Sequence, residues 1–407
     1  MTQTVQLNAP AAERSGFSRG AGIAVLASVF VTFLAASSAP TPLYAIYQAE
    51  WGFSAITTTV VFGTYAVAVL LALLTLGRLS DHLGRRPVVL AAIAVQALAM
   101  VLFATAGGVP ALLAARIVQG IATGAAVAAG GAWMLDLDRV KGTLANAGVS
   151  GCGVALGALI ASVVVATLPA PKHLVFVALM VILAGLAVAV RRIPETADRE
   201  PGALASMRPH VALPRHVRRS ASVALPVMFA VWALAGFYGS LGPAVIGTLV
   251  GSTSVAFAGL GLFVLATVGA TSVLLLRNGP ARGVMLLGIL TLVAGVAVVL
   301  VALHLLSPVL FLVGTGVAGV GFGAGFQGGI RLVIPQALPD ERAGVLSLMY
   351  VVSYLGLGVP AVLAGVLVVH SGNLLTTARD YGFFVIGLAL VALVGLLLPR
   401  RTLDRSV

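Results

Sequence analysis

Twelve apolar runs, each close to the length that crosses a bilayer, follow one another along this chain and leave little choice of fold class. A membrane-spanning helix needs roughly 20 apolar residues. The runs fall near 20–43, 55–77, 87–107, 109–134, 143–167, 172–191, 222–247, 254–276, 283–303, 307–334, 344–369 and 378–398. They are continuous rather than alternating, which reads as helices and excludes a membrane β-barrel. Of the 407 residues 60% are hydrophobic and 9% charged, whereas a soluble domain averages about 45–50% apolar and about 25% charged. No small core under a polar surface can absorb such a composition. The faintest divisions lie at Gly107-Gly108-Val109-Pro110 and between His304 and Pro308. The first run follows Arg14 and Arg19, as a secretory leader would, and Ala36-Ser37-Ser38-Ala39 faintly resembles a cleavage site. It sits at the long end for a leader and continues unbroken, so it reads as a retained first helix.

The basic residues set the orientation. With both termini cytoplasmic, every one of the 24 lysines and arginines except Lys172, Arg379 and Arg116 falls in an inner segment. That asymmetry requires an even number of spans. The net charge of +12 is spread over short loops beside apolar runs, not along one amphipathic face, so no nucleic acid is expected as a partner. The single cysteine, Cys152, allows neither an intrachain disulfide nor a metal cluster. The longest polar stretch, 194–221, carries Pro194, Pro201, Pro209, Pro214 and several arginines. It reads as a cytoplasmic linker, with a short amphipathic piece near Val211–Val217, between halves at 1–193 and 222–407. A shift of 201 residues places Gly120 and Gly124 on Gly321 and Gly325, and Pro42 on Pro243. The predicted fold is an all-α membrane protein with twelve transmembrane helices in two pseudo-symmetric six-helix halves.

Residues 77–87 read Gly-Arg-Leu-Ser-Asp-His-Leu-Gly-Arg-Arg-Pro, between the second and third spans. This stretch resembles the signature loop of the major facilitator superfamily, Gly-x-Leu-Ala/Ser-Asp-basic-x-Gly-basic-basic. Gly77, Leu79, Ser80, Asp81, Gly84, Arg85 and Arg86 match, and His82 departs from the usual Arg or Lys. The resemblance implies the major facilitator fold and a cytoplasmic latch. In it Asp81 caps the N-terminus of the eleventh helix near Gly344–Leu346, where the macrodipole favours an anion. Arg85 pairs with Asp136, and these contacts change as the halves rock.

Arg116 is the only basic residue well inside a span, where an arginine costs on the order of 2.5–3.5 kcal/mol on insertion scales. Leu113-x-x-Arg116-x-x-Gln119-Gly120-x-x-x-Gly124 resembles the superfamily's helix-4 motif, which implies a part for Arg116 and Gln119 in proton coupling or in the cavity. A purely structural role, bonding helix-end carbonyls, is the competing reading. No Asp or Glu lies at mid-membrane in any span, so a proton carrier would be peripheral: Glu50, Asp81, Asp136 or His82. Pro40-Thr41-Pro42 resembles the helix-1 motif of twelve-span drug:proton antiporters, and proline there bends or ends the helix. The fifth span keeps Gly148, Gly151, Gly153 and Gly157, but Ala155-Leu156 replaces the Gly-Pro of the exporter element.

The superfamily builds its cavity from helices 1, 4, 7 and 10, which implies Thr32, Arg116, Gln119, Trp232, Phe237, Tyr238, Phe326 and Gln327 as lining residues. That mostly apolar and aromatic set, with one cation, suits an amphipathic or weakly anionic organic solute better than a sugar. The expected function is secondary active transport by alternating access, most simply proton-coupled efflux of drug-like or metabolite-like solutes. An uptake symporter on the same fold and a non-transporting sensor or assembly factor are the alternatives. No phosphate loop, nucleophile elbow or metal cluster is present, so neither an enzyme nor a cofactor is expected. The expected partners are a small organic solute, protons and the lipid bilayer, with a monomer in the cytoplasmic membrane of a prokaryote.

Overall fold

A bilayer offers the backbone no hydrogen bonds, so each apolar run must satisfy its own amides as a helix. The computed structural model describes residues 17–251 and 255–398. Both termini, with Arg14, Arg400, Arg401 and Arg405, lie outside the described residues, as does the start of the eighth run. The first half comprises α1 (Arg19–Ser38), α2 (Tyr44–Trp51), α3 (Ala55–Leu76), α4 (Leu79–Leu83), α5 (Arg85–Ala104), α6 (Val109–Leu137), α7 (Arg139–Thr167) and α8 (Pro171–Val190). After a short α9 (Ala203–Ser206) come α10 (Arg218–Ser240), α11 (Gly242–Val250), α12 (Leu260–Leu275), α13 (Ala281–His304), α14 (Pro308–Val333), α15 (Arg342–Ser371) and α16 (Leu374–Leu397). Among the described residues eleven helices are long and apolar enough to span a membrane. The 16-residue α12, preceded by a 3-10 turn at Val255–Phe257, takes the eighth place.

Proline and capping side chains decide where the spans stop. The faint division after Ala104 is real: Gly108 is extended and Pro110 sits in the first turn of α6. The one after His304 is real too: Leu306 has a left-handed φ of 51° and Ser307 caps α14 through the Leu310 amide. The expected first span 20–43 is shorter, because α1 ends at Ser38 before Pro40 and Pro42, and α2 restarts at Tyr44. The seventh span breaks likewise before Pro243. The last helix starts at Leu374 rather than near 378, since the Asn373 side chain accepts from the Thr376 amide. The short amphipathic piece expected near Val211–Val217 is a 3-10 turn at Arg215–Val217, after Pro214.

The buried apolar side chains form two large clusters. One runs from Ile23 to Ile193 and the other, apart from Ala158, from Val217 to Leu396. The halves meet chiefly through α3 against α15 and α7 against α12, pairs that exchange when the two halves are swapped. Glycines allow the close approaches. A Cβ on Gly120 would stand 2.5 Å from that of Ala68, and one on Gly124 equally close to that of Ala72, so α6 packs tightly on α3. On α14 the residues that face α12 in the same way are Gly319 and Gly323, whereas Gly321 faces Leu292 of α13. The repeat match of Gly120 and Gly124 is therefore offset by two residues from the one suggested by the sequence. Glycine is so frequent here that its spacing alone does not fix the register.

Gly323→Val places a branched side chain against the Gly269 carbonyl and the Ser272 hydroxyl. Overpacking of this kind costs about 1–3 kcal/mol. Thermal unfolding in detergent is expected to show a lower midpoint for Gly323→Val and no loss for Gly387→Ala, whose Cβ meets open space.

Candidate functional site

The first group of interest lies at the basic end, where the 77–87 loop folds against α6. Gly84 has φ 96°, a region that side chains rarely adopt, and this turns the chain from α4 into α5. Gly77 has ordinary helical φ; its need is steric, since a Cβ would meet the Leu73 carbonyl at 2.5 Å. Arg85 is the hub. Its Nη1 donates to Asp81 Oδ1 at 2.5 Å and to Ser80 Oγ at 2.7 Å, and its Nε donates to Asp136 Oδ2 at 3.0 Å.

Asp81 was expected at the N-terminus of α15, but its carboxylate turns to Arg85 one helical turn away. A full charge at hydrogen-bond distance outweighs the half-charge of a helix end. Gly344, at that helix end, faces His210 and Ala212 of the connecting segment, and its carbonyl accepts from the Ala212 amide at 3.2 Å.

Glu195 is a member of this group that the sequence reading missed. Its two carboxylate oxygens accept from the Arg85 and Arg86 amides at 2.9 and 2.8 Å, capping the otherwise uncapped start of α5. Thr196 Oγ1 donates to Asp136 at 3.1 Å, Arg86 Nη2 donates to the Ile193 carbonyl, and Trp133 Nε1 donates to the Pro194 carbonyl at 3.1 Å. Farther on, the Glu200 amide donates to the His82 carbonyl. The segment after α8 is thus stitched to the loop. An acid directly after the Pro194 that follows a span was the available signal.

The second group surrounds Arg116, which is 0% exposed. Its Nε and Nη2 both donate to Tyr44 Oη, at 3.0 and 2.5 Å, and its Nη1 donates to the Ser37 carbonyl and to Gln119 Oε1, at 2.8 and 2.7 Å. The rings of Tyr44, Tyr65 and Phe103 lie within 6 Å of the guanidinium carbon. Gln119 Nε2 donates to the Ala36 carbonyl at 2.9 Å. These carbonyls need donors because α1 ends in prolines. Pro40 has no amide hydrogen for Ala36, and the Thr41 amide bonds Ser38 instead of Ser37. A cation at this helix C-terminus also suits the macrodipole. Arg116 and Gln119 therefore cap a broken helix.

The candidate cavity residues divide. Trp232 and Phe326 meet edge to face with centroids 5.7 Å apart, and Phe322 and Tyr354 join them. Trp232 also packs on the Phe62, Ala66, Leu357 and Ala361 cluster that joins the halves. Phe237 and Tyr238 instead belong to the interior of the second half, Phe237 against Tyr381 and Tyr238 hydrogen-bonded to Thr315 at 2.6 Å. Thr32 is buried and bonds the Ser28 carbonyl. Gln327 turns to α12, donating to the Val273 carbonyl at 3.0 Å.

A further cavity of about 360 Å³ lies at the end opposite the 77–87 loop. Its walls come from both halves and include Thr41, Tyr44, Gln48, Thr58, Ser240 and Ala244. At its floor Thr41 Oγ1 donates to the Gly239 carbonyl across the halves at 3.3 Å. Pro243, four residues after Gly239, has no amide hydrogen to offer that carbonyl. Beside it, burial and then the neighbouring Tyr44 and Glu50 push the Tyr47 phenol above its usual pKa.

Two six-helix halves, paired seams and a charged cluster at one end are the architecture of a polytopic membrane transporter. Residues 25–278, more than half of the chain, match the Major Facilitator Superfamily, and the chain belongs to that family. Among solved structures it is similar to a mutant of the nucleoside transporter NupG, with TM-score 0.70 and 14% identity over 92% of this chain and 99% of that one. It is also similar to the human organic anion transporter MFSD10 (TETRAN), with TM-score 0.62 and 19% identity over 93% of this chain and 99% of that one. Among curated proteins none matches by sequence.

Glu195→Ala removes the cap of α5, worth about 1 kcal/mol. Hydrogen exchange at the Arg85 and Arg86 amides is expected to accelerate several-fold, with α13 unchanged as the internal reference.

Proposed function

We propose that this chain is a proton-coupled exporter of amphipathic or weakly anionic organic solutes, working as a monomer by alternating access. Its membrane would be the cytoplasmic membrane of a prokaryote, with both termini inside. The observation that carries the mechanism is the seam. Two helix pairs, α3 with α15 and α7 with α12, join halves that otherwise keep separate cores, so the halves can rock as bodies. Pro40-Thr41-Pro42, resembling the drug:proton antiporter motif, favours export.

In this reading the Arg85 group is the latch of one conformational state. Asp81 and Asp136 share Arg85, so protonating either carboxylate removes one of its two ion pairs and loosens the loop. Proton coupling at the rim would fit the described spans, whose carboxylates, Asp136 and Asp380, lie toward the ends of α6 and α16. Trp232, Phe322, Phe326 and Tyr354, where the halves meet, would form the aromatic wall met by the solute.

The direct test is a solute screen in proteoliposomes containing a pH-sensitive dye, with the proton gradient imposed in either direction. Export predicts solute movement against the inward proton flow. Movement with the protons would make it a symporter, and no flux for any solute would sink the transport reading. Asp81→Asn is expected to lower turnover severalfold while equilibrium binding of a transported solute stays within about twofold. Equal losses in both would remove the latch role.

A further inference from the structure

Arg116 is a buried cation with no acidic partner among the described residues. Of the half-buried cations of the first half, Arg85 has two carboxylates and Lys172 has Glu50, while the Arg86 side chain bonds the Ile193 carbonyl. All of Arg116's hydrogen bonds go to neutral acceptors. A guanidinium is matched best by a carboxylate, which takes two parallel N–H bonds along one edge of the fork. In Arg116 that edge, Nε with Nη2, is occupied by the single oxygen of Tyr44, which accepts from both nitrogens.

Tyr44 is also placed to give way. It is the first residue of α2, directly after the Pro40-Thr41-Pro42 break, and it lines the 360 Å³ cavity between the halves. That volume lies in the range that holds small organic ligands. The named walls of the cavity carry hydroxyls and an amide from Thr41, Thr58, Ser240 and Gln48 but no charged side chain. The nearest acid on α2, Glu50, is paired with Lys172. The charge bonded to a wall residue of the cavity, Arg116 behind Tyr44, is positive.

We propose that this cavity is a binding site for an organic monocarboxylate. The carboxylate displaces the Tyr44 hydroxyl and takes the Nε–Nη2 edge of Arg116, while the organic group occupies the cavity. The site lies apart from the Trp232 aromatic cluster. It rests on the transport reading only in making the bound anion a carried solute; binding itself stands without it. Ser37 and Gln119 hold the other side of the guanidinium, so the fork stays oriented when Tyr44 leaves.

The test is calorimetric titration of the purified full-length protein with benzoate and with benzamide, its neutral isostere, at one fixed chloride concentration. Benzoate is expected to bind at least tenfold more tightly than benzamide. Tyr44→Phe removes the competing oxygen and leaves the guanidinium edge unpaired in the free protein, so benzoate is expected to bind about tenfold more tightly and benzamide unchanged. Arg116→Lys keeps the charge but loses the fork, and is expected to weaken benzoate about tenfold. Equal binding of the two probes to the unmodified protein would overturn the site. So would a Tyr44→Phe variant whose benzoate affinity is unchanged or lower, a result readable even if Arg116→Lys does not fold. None of these outcomes depends on flux, so a failed vesicle screen would sink the transport reading and leave the anion site standing.

Discussion

The structure hinges on carbonyl groups that prolines have stripped of their partners inside an apolar bundle. In lipid an unpaired carbonyl costs several kcal/mol, so a broken span needs donors from its neighbours. Pro40 frees the Ala36 carbonyl, which Gln119 satisfies, and Arg116 takes the Ser37 carbonyl beside it. In the second half Pro243 frees the Gly239 carbonyl, which Thr41 satisfies from across the interface. The two proline breaks thus tie α6 to α1, join the halves at one end, and create the short helices α2 and α11 that line the cavity there. Each ends at a left-handed glycine, Gly52 and Gly251.

At the other end the restraint is ionic. Arg85 gathers Asp81 and Asp136, and Glu195 fastens the start of α5 to the chain that leaves α8. The segment between the halves therefore starts as part of the first half. Its later part touches the second, through Ala212 and His210 at Gly344. The segment that leads to α10 thus touches both the loop and the start of α15, with no direct bond between Asp81 and α15 among the described residues. One end of the molecule is held by buried hydrogen bonds from Arg116, Gln119 and Thr41, the other by exposed and half-exposed ion pairs. Salt screens exposed pairs such as those at the second end more than buried contacts.

Much of the fold was legible from residue order because membrane helices obey local rules. Length, continuity of apolar residues and proline positions mark the spans, and the superfamily loop at 77–87 points to the family to which the chain belongs. The site was legible in part. Arg116 stood out as a charge inside an apolar run, and Asp136 as an acid at a helix end. What its neighbours do could not be read. Phe237 and Tyr238, adjacent to a kink, look like cavity residues but pack against Tyr381 and Thr315. Phe322 and Tyr354 look like packing but stand beside Trp232. Helical periodicity tells which residues share a face, not which neighbour the face meets.

By itself the sequence determined that this chain crosses a membrane many times as helices, because bilayer thickness and backbone hydrogen bonding act on contiguous residues. Only the tertiary structure decided that Asp81 serves Arg85 rather than α15, that Glu195 belongs to the loop, and that Tyr44 covers the open edge of Arg116. Those partners lie between 4 and 110 positions apart in the chain. Hydrogen bonds and charges act over a few ångströms, so which groups meet is fixed by packing and not by sequence distance.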